Sequence, residues 1–306
     1  MTLRLVAGLL VSAFFIYLLL RGSELRRVAD ALVGAALPGI ILALFLLAID
    51  YWLRLLRWHW MLRHLASKAT LRDCARPFLV SFALNNVLPL RAGDAARVFA
   101  FRETLGIPAS QLLATVLLER LLDLLTLLLI LVLALSLKPV SSWVPVPFFG
   151  LPAAGLALGT LAALLFAALG AILMVRCGSF RGDAIEDPLL APAVGLRSRL
   201  RRLLGSFAGT LMHFLNARSL AILGVFSLLV WSFEAAVFAA VAWAVHPDIQ
   251  GVWLAMAVGN LGTLVPAGPG HVGTFDFFTM AALTARGTLR ETAAAFAIIL
   301  HLVLWL

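Results

Sequence analysis

Apolar runs of about the length a helix needs to cross a bilayer recur from one end of this chain to the other. They fall near 3–20, 38–53, 78–90, 112–136, 148–175, 219–245, 252–285 and 293–306. A hydrocarbon core roughly 30 Å thick takes about 20 apolar residues per helix, which leaves room here for about six to eight spans. With 63% of its 306 residues hydrophobic and 13% charged, the chain keeps no stretch for a soluble domain. The fold class is all-α, a polytopic integral membrane helical bundle forming one transmembrane domain over 1–306.

Basic residues orient the spans, because cytoplasmic flanks carry the excess of Arg and Lys. The stretch Arg54–Arg76 holds Arg54, Arg57, Arg63, Lys68, Arg72 and Arg76; Arg91, Arg97 and Arg102 follow the run at 78–90; the loop 176–218 holds seven more arginines. All three are read as cytoplasmic, and the loops 138–147 and His246–Gln250 as external. The halves are then about 1–137 and 148–306, with the N-terminus in the cytoplasm and Leu5–Leu20 a retained first helix. The net charge of +9 fits this topology and contact with anionic headgroups, and nucleic acid is not an expected partner. Cys74 and Cys177 fall in basic loops, which implies no disulfide framework.

Two apolar runs are broken. Leu264–Phe278 reads LVPAGPGHVGTFDFF, and the short run at 78–90 ends in NNVLPLRAGD. Backbone groups freed inside a bilayer need protein or trapped water as partners, so such breaks belong around a protein-lined cavity. In the first break Pro89 and Gly93 end regular helix, Asn85 and Asn86 can satisfy freed backbone groups, and Asp94 adds a carboxylate. Arg91 and Arg97 beside it are either forks for phosphate oxygens or plain topology signals. In the second break Pro266, Gly268, Gly270 and Gly273 allow close backbone approach, and Pro269 presets a new helix whose N–H groups form an anion site. His271 and Asp276 are the polar side chains there. The breaks enter from opposite faces, one per half, which is the pattern of re-entrant segments in an inverted repeat.

The run between the breaks, QLLATVLLERLLDLLTLL, places Gln111, Thr115, Glu119, Asp123 and Thr126 on one helix face, with Arg120 offset by about 100°. Acidic groups within a span are expensive and mark functional sites by default, although Arg120 neutralising carboxylates to fix packing is the structural alternative. Glu119 is expected near the cytoplasmic end and partly solvated. Glu234 lies mid-span near Ser227 and Trp231 with no basic residue within one turn of its own helix, so it is protonated or paired across helices. Asp50 and Arg54 read as a helix-end ion pair. No GxxxxGK[ST], HExxH or GxSxG occurs, and His59 and His64 have the wrong spacing for metal. No cofactor, metal or catalytic residue is expected.

Taken together, NNVLPLRAGDAARVFAFRETLG, LLERLLDLL and LVPAGPGHVGTFDFF resemble the lysylphosphatidylglycerol synthase transmembrane-region family, flippase-like integral membrane proteins. Its motif positions correspond to Pro89, Gly93, Asp94 and Arg97, to Glu119, Arg120 and Asp123, and to Pro266, Gly268, Gly270 and Gly273. Asp276 stands where many relatives have Glu. The resemblance implies a bacterial inner-membrane protein that moves a phospholipid or glycolipid headgroup and is not an enzyme, since the soluble domain that performs synthesis in some relatives is absent. Its expected partners are membrane lipids, anionic phospholipid or glycolipid. The alternative is a non-transporting scaffold or subunit for a lipid-modifying enzyme.

Overall fold

In a computed structural model the described residues are 2–65, 68–88, 92–137, 205 and 207–305. The expected span at 148–175 and the loops at 138–147 and 176–204 lie outside them, as do Pro89, Arg91 and Cys177. The chain runs through α1 (Thr2–Leu20), α2 (Leu25–Val33), α3 (Leu37–Leu65), α4 (Leu71–Val87), α5 (Ala92–Phe99), α6 (Arg102–Leu105) and α7 (Ala109–Leu137). After a short helical stretch at 207–214 come α8 (Ala217–Val245), α9 (Val252–Gly262), α10 (Thr274–Thr284) and α11 (Arg290–Trp305). Among the described residues there is no strand. The molecule is a polytopic helical membrane protein.

α3 and α8 are each long and apolar enough to cross a bilayer, and α1 with α2 forms a further apolar pair bent by 90°. α3 and α8 pack side by side, tied at one end where the Ala36 N–H donates to the Ala244 carbonyl at 2.8 Å. Around α8, α9, α10 and α11 the aromatic rings of Phe238, Phe275 and Phe296 fill one apolar core. Trp58, Phe78, Leu112 and Phe214 fill another between α3, α4 and α7.

α3 continues well past the apolar run at 38–53, because Arg54 and Arg57 stay in helix and turn inward rather than starting a loop. α4 likewise begins at Leu71, ahead of the expected start at 78: Thr70 caps it by accepting from the Asp73 N–H at 3.3 Å, while Asp73 accepts the Thr70 N–H at 3.0 Å. A reciprocal box of this kind satisfies two of the N–H groups a helix start leaves open. Cys74, expected in a loop, is buried in the first turn of α4.

Two helical hairpins organise the interior. α4 folds back on α5, and α9 folds back on α10. Gly93 makes the first possible, since a Cβ there would stand 1.9 Å from the Ser81 carbonyl oxygen. The tip of the second carries a single 3-10 turn, Pro269–His271, in which Gly270 adopts φ 65° and lies so close to Trp305 that a Cβ would meet its indole nitrogen at 2.4 Å. α4 packs against this turn, and the Asn86 amide donates to the Trp305 carbonyl at 3.4 Å. The C-terminal part of α4 and the tip of the second hairpin therefore lie against each other.

Candidate functional site

The buried face of α3 carries Ala43, Leu47, Asp50, Arg54, Arg57 and Met61, and the three ionisable residues sit on this stripe at i, i+4 and i+7. Arg54 is the hub. Its Nε donates to Asp50 at 2.7 Å, one Nη binds Glu234 on α8, and the other lies 3.9 Å from Asp123 on α7. One turn on, Arg57 binds Asp123 at 2.9 Å, reaches Glu119 at 3.7 Å and donates to Ser227 at 3.2 Å. Arg97 on α5 closes the other side of Glu119 at 2.7 Å, with its guanidinium 4.7 Å above the Trp58 ring. The Trp58 indole in turn donates to Thr115 at 3.3 Å.

Arg120 extends the chain of pairs: one Nη lies 4.0 Å from Asp123, and it grips Asp94 on α5 with two prongs, Nε at 3.0 Å and Nη2 at 2.9 Å. Asn85 and Ser81 on α4 add bonds to the same carboxylate at 3.0 and 3.3 Å. α3, α5, α7 and α8 are thus joined through buried charge. Removing one member of such a pair leaves the other uncompensated, which is more costly than never having had the pair. Arg120→Ala is expected to lower unfolding stability by about 2 kcal/mol through the lost charge-assisted bonds, with Arg120→Lys intermediate because a point charge cannot reproduce the fork. Denaturation midpoints of purified protein in mixed micelles check this.

Beside the network lies a cavity of about 430 Å³, lined by both breaks and by the charged helices. The first break contributes Asn85, Asn86 and Asp94; the second contributes Asn260, Thr263, Leu264 and His271. Arg54, Asp50, Arg120, Asp123, Glu234 and the Trp231 ring form the charged wall. Asn260 joins the two parts, donating to Glu234 at 2.9 Å.

Seven of the residues singled out in the two breaks and the acidic spans meet here: Asn85, Asn86, Asp94, Arg120, Asp123, Glu234 and His271. Glu119 and Arg97 stand behind the wall, each buried. Glu119, at 4% exposed, is not partly solvated, because Arg57 and Arg97 enclose it. Arg97 is turned into the protein onto Trp58 and Glu119 rather than toward a phosphate. Gly93 serves the close contact of α5 with α4.

In the second break only His271, with φ 59°, and its neighbours on α9 reach the cavity. Pro266 is exposed at the tip, and the Gly268 N–H is taken by Ser12 of α1 at 2.9 Å. The anion site expected at the start of α10 is filled by the chain itself, since Asp276 accepts the Gly273 N–H at 2.8 Å and binds His301 at 2.7 Å. Asp50 and Arg54, read as a helix-end pair, are at the centre; their spacing with Arg57 on one face of α3 was the available signal.

Residues 5–306 match the family described as lysylphosphatidylglycerol synthase TM region. Among curated proteins, the glycosyltransferase AglD of Haloferax volcanii is 26% identical over 333 aligned positions, which take in 97% of this chain and 51% of that protein. The chain therefore spans about half the length of that relative. A match over essentially the whole chain leads to one assignment: the chain belongs to the lysylphosphatidylglycerol synthase TM region family.

Proposed function

We propose that this chain translocates a phosphate-bearing lipid headgroup, of a phospholipid or glycolipid, across the inner membrane. The headgroup occupies the cavity between the two hairpins while the acyl tails stay in the bilayer. The observation that carries this reading is the place of the charge. In a bundle whose surface is apolar, the ionisable residues converge on one cavity at which both breaks meet. Charged groups inside membrane bundles mark substrate and ion pathways, and broken elements facing each other across a midplane site are a recurrent transporter arrangement. The cavity volume of about 430 Å³ falls among sites that hold one small molecule, about 300–1,000 Å³.

The comparisons support lipid or sugar-lipid chemistry as the setting. The family's description names a lysylphosphatidylglycerol synthase and the curated relative is named a glycosyltransferase. Transport without synthesis is the reading adopted here, driven by the lipid gradient or by coupled protons. Purified protein in liposomes carrying labelled headgroups is expected to equalise the two leaflets faster than empty liposomes. Asn260→Ala and Asp94→Asn are expected to slow this at least tenfold, the effect of about 1.4 kcal/mol on a barrier. Rates equal to empty liposomes for every phospholipid and glycolipid tried, with and without a proton gradient, would overturn the proposal.

A second reading, a scaffold or subunit for a lipid-modifying enzyme, is favoured by one observation: each guanidinium of the network already has a carboxylate. It predicts that Glu119→Gln weakens assembly with a partner enzyme while leaving no transport to lose.

A further inference from the structure

Among the described residues, five carboxylates (Asp50, Asp94, Glu119, Asp123, Glu234) are joined by four guanidiniums (Arg54, Arg57, Arg97, Arg120). One carboxylate is in excess, and the geometry shows where. Asp94 holds Arg120 through a fork, with Asp123 farther off at 4.0 Å. Glu119 has Arg97 and Asp123 has Arg57, at 2.7 and 2.9 Å. Asp50 and Glu234 are left to share Arg54, and both line the cavity.

Two further atoms point to what is missing. Asp50 Oδ1 is buried with no hydrogen-bond partner among the described residues, on a side chain 1% exposed. An ionised carboxylate oxygen buried without a donor is costly, and a proton removes that cost. The Trp231 indole N–H, on a side chain that is 4% exposed, also has no acceptor; this ring lies on the cavity wall with the Arg54 guanidinium 5.4 Å from its centre. The cavity wall thus holds one spare acceptor and one spare donor, both beside Arg54.

We propose that Asp50 and Glu234 hold one proton between them across Arg54, and that this pair couples headgroup binding to proton binding. A phosphate oxygen entering the cavity accepts from Trp231 and takes the Arg54 fork. The second carboxylate, losing its guanidinium, then takes a proton from water in the cavity. When the phosphate leaves, that O–H bond breaks, the proton returns to water, and Arg54 again bridges both carboxylates. Nothing is oxidised or reduced. Two strongly interacting acids of this kind titrate as a unit. The coupling half rests on the translocase reading; the shared proton does not.

Other ionisable groups face the pair. α3 presents Tyr51 and Arg57, α7 presents Arg120 and Asp123, and α5 presents Asp94; the second break presents His271, while α9 contributes only the neutral Asn260. On α11, His301 is turned to Asp276. His271 is the competing seat for a proton.

Infrared spectroscopy of the full chain in nanodiscs tests the first half. At neutral pH the wild type is expected to show the carbonyl band of one protonated carboxylic acid, absent from both Asp50→Asn and Glu234→Gln and unchanged in His271→Asn. Each isosteric change puts a neutral amide in place of the pair's protonated acid and leaves one carboxylate for Arg54, so both proteins are expected to elute and melt like the wild type. Absence of the band in the wild type, or its persistence in both variants, overturns the shared proton whether or not the variants fold.

Calorimetry with a soluble short-chain phosphatidylglycerol, in two buffers of different protonation enthalpy, tests the coupling. About one proton is expected to be taken up per molecule bound, and affinity is expected to fall by about tenfold per pH unit as pH rises, as linkage of one proton requires. Trp231→Phe is expected to weaken the probe at least tenfold without moving the infrared band. Binding with no proton uptake, or no binding at all, overturns the coupling. Liposomes keep the two proposals apart: lipid exchange that is indifferent to pH and to Glu234→Gln ends proton coupling and leaves translocation standing, whereas an assigned band without lipid exchange does the reverse.

Discussion

Arg54→Ala is expected to be the most damaging single change in the chain, lowering unfolding stability by about 3–5 kcal/mol. The guanidinium it removes bonds Asp50 and Glu234 and approaches Asp123 at 3.9 Å, all in a region that is at most 7% exposed. Three carboxylates would be left with Arg57 as the nearest cation, and Arg57 is already engaged by Asp123 and Glu119. A loss of that size is more than a hundredfold in the folded-to-unfolded ratio, since about 1.4 kcal/mol is a factor of ten. The expected result is little protein recovered from membranes, and a lowered denaturation midpoint in what is recovered.

A compensated variant separates stability from activity. With Asp50→Asn, Arg54→Met and Glu234→Met together, no buried charge is orphaned, and apolar replacements of buried ion clusters are often neutral or stabilising. Its stability is expected to lie within about 1 kcal/mol of the wild type, with lipid exchange in liposomes lost. If Arg54→Ala alone unfolds like the wild type, the network is not the buried assembly described above.

Gly93→Ala is expected to cost about 3 kcal/mol, the upper end for forcing a methyl into a packed interior. Its Cβ would meet the Ser81 carbonyl at 1.9 Å, Asn85 Oδ1 at 2.8 Å and Asn85 N at 2.9 Å, and two of those atoms are backbone that no rotamer change can move. A carbon normally sits about 3.3–3.6 Å from a carbonyl oxygen, so α5 must retreat from α4 by more than about 1 Å. Asp94 is the next residue, and its bonds to Asn85 and Arg120 at 3.0 Å cannot survive that shift intact. Gly224→Ala is the matching control: nothing lies within 4 Å of its Cβ position in the middle of α8. Helix propensity alone then makes it neutral or stabilising by up to about 1 kcal/mol. Melting of the two variants side by side distinguishes a steric requirement at Gly93 from a general sensitivity of glycines.

Much of the bundle was readable in the apolar runs. Two long helices, α7 at Ala109–Leu137 and α8 at Ala217–Val245, start and stop within a few residues of the run ends, because in lipid the composition of a segment decides whether helix is viable. The stripe of Glu119 and Asp123 was visible for the same reason, as charge in the midst of leucines. Arg54 and Arg57 were not, because a count of basic residues beyond an apolar run treats them as loop and never asks which face they occupy. Their register with Asp50 and Leu47 held that information. The pairing of Asn260 with Glu234 and of His301 with Asp276 joins different helices and had no local signature. The filling of the α10 start by Asp276 did have one, an acidic residue three positions after Gly273, the spacing at which a side chain reaches back to the helix's first N–H.

The two hairpins meet but are not fastened alike. The first is clamped to α7 by Arg97–Glu119 and Arg120–Asp94. The second meets α11 through Asp276 and His301, α8 through the amide of Asn260 on Glu234, and α1 through the Gly268 N–H on Ser12. Moving the first hairpin off α7 therefore means breaking two guanidinium–carboxylate pairs, whereas moving the second off α8 stretches one amide's bond to a carboxylate. Mechanically the molecule is a vice whose two jaws are held by different fasteners, paired charges on the α4–α5 jaw and an amide, a hydroxyl and a histidine on the α9–α10 jaw.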